Sequence, residues 1–278
     1  MIRSYFGVIV VLALVSVPVL AQGPPGGRGG RGGPPPTPRA AAQIDLTGNW
    51  VSVVSEDWRW RMITPPKGDY ANIPVNPEGR RIGDLWDAAK DEAAAEQCKA
   101  YSAPAIMREP GRLRIAWEDD FTLKMETDAG MQTRVFQFAR PAAAPGAAPA
   151  AAPAAPAGAE RSWQGVSVAR WEAPPRAATG GGIGLGLGGR VPGGRTLEVT
   201  TTQIRPGYLR KNGIPFGANA TVQEFYDTFK EPGGGADWFV VTTIVTDPQY
   251  LTAPWVTTSH FKKEPDASKW NPLTCSVR

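Results

Sequence analysis

Histidine and cysteine are scarce in this 278-residue chain, which contains one histidine and two cysteines. His260, Cys98 and Cys275 are too few to complete a closed tetrahedral metal site without carboxylates. The chain also lacks a nucleophile–base motif of the kind that marks hydrolases. The sequence therefore predicts no metal, no other cofactor and no catalytic residue, and it leans against an enzyme.

Long apolar runs are equally scarce, and the only one lies at the start of the chain. Arg3 precedes a nearly continuous apolar stretch from Val8 to Leu20, which is followed by the small residue Ala21. This pattern is typical of a signal peptide over residues 1–21, and the run is short for a membrane span of ~20 residues. We expect a periplasmic or secreted protein with no transmembrane span after removal of the signal. A retained anchor is the alternative.

An excess of basic charge is missing from most of the chain. The formal net charge is +4, but Arg3 lies in the predicted leader and three more arginines lie in residues 22–43. Residues 44–278 are therefore neutral overall. Because a neutral domain offers no net basic surface to phosphates, we expect no nucleic-acid partner. The sequence identifies no protein partner.

Glycine and proline are abundant, with 32 and 28 residues, and they are concentrated in a few segments. Segments of this kind bury too little apolar surface to offset the entropy of ordering the chain. We predict a Gly/Pro/Arg-rich linker at 22–43 and one β domain at 44–278. Within that domain we predict disordered, dispensable insertions at 141–160 and 174–194.

Most of the remaining chain alternates with a period of two, which is typical of β-strands. The strongest pair is Trp238–Val245 and Trp255–Lys262, which is rich in aromatic, β-branched and Thr residues. Arg112–Phe138 is interpreted as three antiparallel strands joined by acidic or glycine turns. Further strands are predicted at 163–172, 196–203 and 221–230. One helix is predicted over Asp84–Lys99, with Asp84 as its N-cap.

A Gly48-x-Trp50 motif opens the first predicted strand. It resembles the start of lipocalins and related calycin barrels, in which the tryptophan plugs the closed end. With about nine strands expected, we predict a mainly β fold, an antiparallel up-and-down barrel of calycin or lipocalin type with one helix. A β-sandwich is the alternative, because alternation and turns do not separate the two folds.

A series of ordered motifs resembles a family of uncharacterised exported bacterial proteins. The motifs are Cys98…Met107-Arg108…Gly111-Arg112, Trp163-x-Gly165-x-Ser167…Trp171-Glu172, Thr196-Leu197, Asn212-Gly213-Ile214-Pro215 and Asp247-Pro248…Thr252-x-Pro254-Trp255. The chain departs from that family by its Gly-rich insertion after Glu172. The resemblance implies export and a shared fold, and it implies no activity.

The two cysteines indicate one disulfide, Cys98–Cys275, because an exported chain folds in an oxidising compartment. The chain-entropy model assigns at most ~5 kcal/mol to so large a loop. We expect no free thiol in the mature protein.

Residues 56–63 alternate and are predicted to form a strand. On such a strand Trp58, Trp60 and Met62 share one face, and Arg59 and Arg61 share the other. This face is interpreted as one wall of an apolar pocket with arginine at the rim. Packing in the core is the alternative.

Two later positions are predicted to extend this wall. Trp117 shares a strand face with Leu113 and Ile115, and Tyr226 lies on a later strand. If these faces line a barrel, they form an apolar cup large enough for one small ligand. If they pack on each other instead, the barrel is filled.

Three classes of function remain open from the sequence. The first, which we favour, is an exported β-barrel module that binds an apolar or aromatic small molecule. The second is a non-catalytic accessory or interaction protein of the periplasm or cell surface. The third is a carboxylate-dependent enzyme that uses Glu118, Asp119, Asp247 or His260, although carboxylates at a hairpin tip are more typical of turns.

Overall fold

The computed structural model describes residues 36–140, 160–172 and 196–277. Its strands are β1 (Gly48–Val53), β2 (Arg112–Asp119), β3 (Thr122–Thr127), β4 (Thr133–Phe138), β5 (Val166–Trp171), β6 (Leu197–Thr202), β7 (Gly207–Arg210), β8 (Ile214–Phe216), β9 (Thr221–Lys230), β10 (Asp237–Thr246) and β11 (Trp255–Glu264). Its helices are α1 (Trp58–Arg61), α2 (Pro77–Asp84) and α3 (Ala88–Ala93), with 3₁₀ helices at Gln97–Tyr101 and Ile106–Arg108. The predicted signal peptide, most of the predicted linker and nearly all of both predicted insertions lie outside the described residues.

Nine strands close into a barrel in the order β1-β11-β10-β9-β6-β5-β4-β3-β2, and β2 pairs with β1. The neighbours are antiparallel except β4 and β5, which run parallel. A closed ring with an odd number of strands cannot alternate in direction throughout, so one parallel pair is required. The predicted mainly β, calycin-like barrel is confirmed, and β7 and β8 form a separate hairpin.

Large apolar side chains fill the interior of the barrel. Phe239 and Phe261 are register partners on β10 and β11, and their rings stack with centroids 4.6 Å apart. Trp50 of the Gly48-x-Trp50 motif is buried beside Phe239, and its Nε1 donates to the Leu46 carbonyl at 2.8 Å. Burial of each such side chain contributes ~1.5–3 kcal/mol. These residues pack on each other, so this part of the interior is a core and not an open cup.

One ion pair is enclosed in the same interior. Arg134 donates from Nη1 and Nη2 to the two carboxylate oxygens of Glu224, at 2.7 and 2.6 Å, and both side chains are fully buried. Burial lowers the pKa of Arg134, but the charge of Glu224 outweighs this effect and the net shift is upward. The pair joins β4 to β9 through the inside of the barrel.

A second apolar cluster anchors the β7–β8 hairpin. Its buried members include Leu209, Ile214, Phe216, Val245 and Trp255. Leu209 and Ile214 lie on the hairpin strands themselves and are almost fully buried. The residues at the hairpin turn are therefore held in fixed positions.

The predicted strand over residues 56–63 is wrong, because the chain forms the short helix α1 there. Asp57 adopts a left-handed conformation with φ 53° and turns the chain after β1. In a helix, residues four apart share a face, whereas in a strand residues two apart do. Trp58 and Met62 are consequently 62% and 58% exposed, and Trp60 does not share a face with Trp58.

The predicted single helix over Asp84–Lys99 is also wrong. Helix α2 ends at Asp84, and α3 begins after Asp87, whose side chain accepts from the Ala89 amide at 3.0 Å. Asp84 is not an N-cap and instead accepts from the Tyr70 hydroxyl at 2.5 Å. The tight cap at Asp87 starts a new helix where the spacing of apolar residues suggested a continuous one.

The predicted disulfide is confirmed. Cys98 and Cys275 are bonded, with 5.1 Å between their Cα atoms, and neither is free. The bond ties the segment after β11 to the first 3₁₀ helix. Among the described residues, no helix combines the length and apolar character needed to cross a membrane.

Candidate functional site

A cavity of about 150 Å³ lies between α1, the second 3₁₀ helix and β7. We call it the arginine cavity. Its cationic lining residues are Arg61, Arg108, Arg210 and Lys211. Its apolar lining residues are Trp60, Met62, Ile63, Pro65, Ala105 and Leu209, and Thr64 and Glu109 complete it.

The turn of the β7–β8 hairpin holds one side of this cavity. Asn212 donates from Nδ2 to the Pro66 and Asp69 carbonyls, at 3.1 and 3.0 Å, and so ties the turn to the loop after α1. Gly213 follows with φ 82°, a left-handed conformation that glycine adopts without strain. A β-carbon there would meet the Trp86 side chain at 2.1 Å. The turn at Asn212 and Gly213 thus positions the two basic residues before it.

Asp57 holds the opposite side. Its backbone carbonyl accepts from the Trp60 amide at 2.9 Å, which starts α1. Its carboxylate accepts from Arg108 Nη2 at 3.0 Å. A left-handed non-glycine residue is uncommon, and here it joins α1 to the second 3₁₀ helix.

Arg61 is buried and partly paired. Its Nη1 donates to Glu56 at 2.5 Å and its Nε to the Arg108 carbonyl at 2.9 Å. Its Nη2 has no hydrogen-bond partner among the described residues. Burial lowers the pKa of Arg61, against the raising effect of Glu56.

Arg108 is arranged in the same way. Besides its contact with Asp57, its guanidinium carbon lies 5.1 Å from the centroid of the Trp255 ring. Its Nη1 has no partner within the described ranges. Burial lowers the pKa of Arg108, although the charge of Asp57 opposes the shift.

Arg210 differs from both, because none of its nitrogens is paired. The residue is 5% exposed, and Nε, Nη1 and Nη2 find no hydrogen-bond acceptor in the part of the chain that is described. Its guanidinium lies over the Trp60 ring, 5.1 Å from the centroid. Burial, and then the charge of Arg108, lowers the pKa of Arg210 to about 10, which leaves it charged at neutral pH.

Lys211 and Glu109 form an ion pair at the edge of the cavity. Nζ lies 2.8 Å from the carboxylate, and it also lies over the Tyr101 ring at 4.7 Å. Burial lowers the pKa of Lys211, but Glu109 raises it by more, so the net shift is upward. Burial raises the pKa of Glu109 despite Lys211. The pair is ionised, because a 2.8 Å contact with an ammonium favours the charged form of the carboxylate.

The charges around the cavity leave one cation uncompensated. Arg61 pairs with Glu56, Arg108 with Asp57, and Lys211 with Glu109. Among the described residues, Arg210 has no such carboxylate. Two carboxylates raise its pKa from a distance, Asp57 and Asp69, and the second of these lies 3.6 Å from exposed Arg59.

The predicted ligand-binding residues are only partly brought together. Trp60, Arg61 and Met62 line the arginine cavity. Trp60 is held there by its Nε1, which donates to Asp69 at 3.1 Å. Trp58 and Arg59, on the same helix, lie outside the lining.

Trp117 and Tyr226 lie in the barrel and not at the cavity. The Trp117 ring packs against Phe138 with centroids 5.5 Å apart. Tyr226 is fully buried in the barrel core, next to Phe136. The apolar wall expected from Trp60, Trp117 and Tyr226 is therefore not assembled.

Sequence reasoning missed Arg108, Glu109, Arg210 and Lys211 as site residues. Arg108 belongs to one of the ordered motifs, and Arg210 and Lys211 directly precede another, at Asn212. That was the one signal in the chain that could have drawn attention to them. No periodic pattern marks these residues, because they lie at an element end and a turn.

The carboxylates and the histidine considered for catalysis have structural contacts. Asp119 accepts from the Phe121 amide at 2.7 Å, as a turn residue does. Asp247 accepts from the amides of Gly217 and Gln249, at 2.7 and 2.9 Å. His260 Nδ1 lies 3.0 Å from Glu56. Within the described ranges, no group of three or more His, Cys, Asp or Glu residues could hold a metal ion.

The fold and the cavity together define a closed nine-stranded β-barrel with a cationic pocket beside a hairpin outside the barrel. No protein-family model, no curated protein and no solved structure matches the chain. The resemblance to a family of exported bacterial proteins therefore stays a prediction.

Proposed function

We propose that this protein is an exported β-barrel module that binds a small anionic molecule in the arginine cavity. We retain the small-molecule ligand expected from the sequence, but we propose the arginine cavity, and not the barrel interior, as its binding site. The filled barrel supports this move, because Phe239, Phe261 and Tyr226 occupy the space that a ligand would need.

The proposal rests on the guanidinium of Arg210, which is buried and has no hydrogen-bond partner among the described residues. Buried polar groups in proteins are nearly always hydrogen-bonded, and a buried charge is costly unless it is paired. An arginine offers five N–H donors and no acceptor. An anion in the cavity supplies acceptors and a negative charge. Arg61 Nη2 and Arg108 Nη1, on two other lining residues, also have no partner among the described residues.

The walls give the ligand an apolar side. Trp60, Met62 and Leu209 line the cavity together with the arginines. Small-molecule sites commonly combine apolar walls with a few convergent polar groups. The ligand we propose therefore has an anionic group and an apolar part.

Export is the second part of the proposal. It is supported by the disulfide between Cys98 and Cys275, since such bonds persist in oxidising compartments. The apolar run at residues 8–20 supports it from the sequence.

The test is a binding screen with purified protein in a bulky zwitterionic buffer at low salt. Thermal shift and isothermal titration would measure benzoate, acetate, phosphate and sulfate. We expect at least one of them to bind saturably, with a dissociation constant of about 1 mM to 1 μM. Absence of binding by every anion would overturn the proposal.

Two variants locate the binding. Arg210→Met removes the unpaired charge, and we expect it to abolish binding. Arg59→Met is the matched control, because Arg59 also lies over the Trp60 ring, at 5.4 Å, but is outside the lining. Binding that survives in the first variant, or is lost in the second, would place the site elsewhere.

A further inference from the structure

We propose that the ligand of the arginine cavity is a small monocarboxylate, with its carboxylate on Arg210 and its apolar body against Trp60. This inference rests on the anion-binding function proposed above and names the class of anion.

The charge balance favours one negative charge. Three of the four lining cations have a carboxylate within 2.5 to 3.0 Å, and Arg210 is the fourth. A monoanion neutralises Arg210 and leaves the cavity balanced. A dianion leaves one negative charge uncompensated in a cavity whose lining already contains the carboxylate of Glu109.

The geometry of the donors favours a carboxylate. A guanidinium presents parallel N–H groups that match the two oxygens of a carboxylate in one plane. Among the described residues, no acceptor binds any of the three Arg210 nitrogens, which are buried, so the carboxylate of the ligand is their acceptor. The guanidinium lies over the Trp60 ring. A ligand bound to the edge of the guanidinium therefore also contacts Trp60.

The volume sets the size of the apolar body. The cavity measures about 150 Å³. A cavity of about this volume holds one benzene molecule in other proteins. Met62, Ile63 and Leu209 offer it apolar contacts. The class is therefore a carboxylate with one ring or a short chain, and benzoate is a suitable probe.

The experiment compares benzoate with benzyl alcohol, phosphate and sulfate by isothermal titration on the disulfide-bonded protein. We expect benzoate to bind about tenfold or more tightly than each of the others, because only benzoate has both one charge and an apolar body. We expect Arg210→Met to lose this binding and Arg59→Met to keep it.

Other outcomes separate this inference from the proposed function. Phosphate or sulfate binding as tightly as benzoate, through Arg210, would overturn the monocarboxylate and leave anion binding standing. Benzyl alcohol binding as tightly as benzoate would overturn both, since no charge would then be recognised. Absence of binding by all four compounds would overturn the monocarboxylate, and, if acetate also fails to bind, it would overturn anion binding as well.

A charge-balance pair of variants tests the argument in a second way. Glu109→Gln removes one negative charge from the lining, so we expect the affinity for phosphate relative to benzoate to rise by about tenfold or more. The double variant Glu109→Gln with Lys211→Met removes the whole ion pair and leaves the net charge of the lining unchanged. We therefore expect it to keep the preference for benzoate over phosphate. Equal preferences in the two variants would overturn the charge argument, and near-ultraviolet circular dichroism would confirm that both are folded.

Discussion

The guanidinium carbon of Arg210 lies 5.1 Å from the centroid of the Trp60 ring. No oxygen in the described part of the chain accepts a hydrogen bond from that guanidinium. A cation–π contact contributes about 0.5–2 kcal/mol, which is less than the cost of burying an unpaired charge. The fold therefore keeps Arg210 at a net cost in stability, and such costs are expected at functional sites.

The first prediction is that Arg210→Met stabilises the free protein. Methionine keeps an unbranched side chain over the Trp60 ring and removes a buried charge whose three nitrogens have no partner among the described residues. We expect the free energy of unfolding to rise by about 1–3 kcal/mol. Urea unfolding of both proteins without added anion measures the difference.

Arg59→Met is the control for that measurement. Arg59 is exposed, and its contact with Asp69 is 3.6 Å long, so we expect a change within about 0.5 kcal/mol. A loss of stability in Arg210→Met would mean that its charge is compensated in the folded protein.

The second prediction concerns the hairpin turn. Gly213 and Gly233 both have positive φ, 82° and 80°, but a β-carbon at Gly213 meets Trp86 whereas one at Gly233 meets nothing within 4 Å. Alanine at either position costs about 1–2 kcal/mol in a left-handed conformation. We expect Gly213→Ala to lose a further ~1–3 kcal/mol through overpacking.

Urea unfolding of the two alanine variants isolates the contact, because the conformational cost is common to both. Gly213→Ala should also weaken anion binding, since the turn positions Arg210. Equal losses of stability would show that Trp86 moves aside freely.

The barrel could be predicted from the sequence because its strands are long and have one buried face. The strands within residues 112–138 and 221–264 alternate in the chain, and over most of their length the corresponding side chains alternate between buried and partly exposed in the structure. A five-residue alternation such as Trp58 to Met62 fits a strand and a helix equally well. Asp57 adopts the left-handed conformation from which α1 begins. The alternation of apolar and polar residues does not indicate that conformation.

The arginine cavity could not be predicted for a different reason. It joins three segments far apart in the chain, around Arg61, Arg108 and Arg210. Whether an arginine is buried and unpaired depends on which segments the fold places around it. A single sequence contains the residues of such a site but does not show that they lie close together in the fold.

The third prediction concerns the ion pair inside the barrel. Glu224→Gln leaves Arg134 charged and fully buried without a carboxylate, so we expect a loss of about 3–5 kcal/mol. Arg134→Met with Glu224→Leu removes both charges, and we expect it to recover most of that loss. Urea unfolding of the single and the double variant measures the recovery. A double variant less stable than the single one would mean that the pair contributes more than an apolar replacement.

The fourth prediction concerns the disulfide, which links residues 177 positions apart. The chain-entropy model gives at most ~5 kcal/mol for this loop, and denatured-state structure reduces it. We expect Cys98→Ser with Cys275→Ser to lose about 2–5 kcal/mol in urea unfolding. Titration of the denatured wild-type protein should find no free thiol, and two reactive thiols per chain would contradict the bond.

The disulfide should also affect the arginine cavity, through Tyr101. The Ser276 amide donates to the Tyr101 hydroxyl at 3.2 Å, and the ring of Tyr101 lies under the ammonium of Lys211. Without the disulfide the end of the chain is held less firmly, so Lys211 and its partner Glu109 lose part of their support. We expect the double serine variant to bind benzoate several-fold more weakly, while Arg210 keeps the site selective for an anion. Titration at a temperature where the variant is fully folded separates this effect from unfolding, and an unchanged affinity there would show that the cavity is independent of the bond.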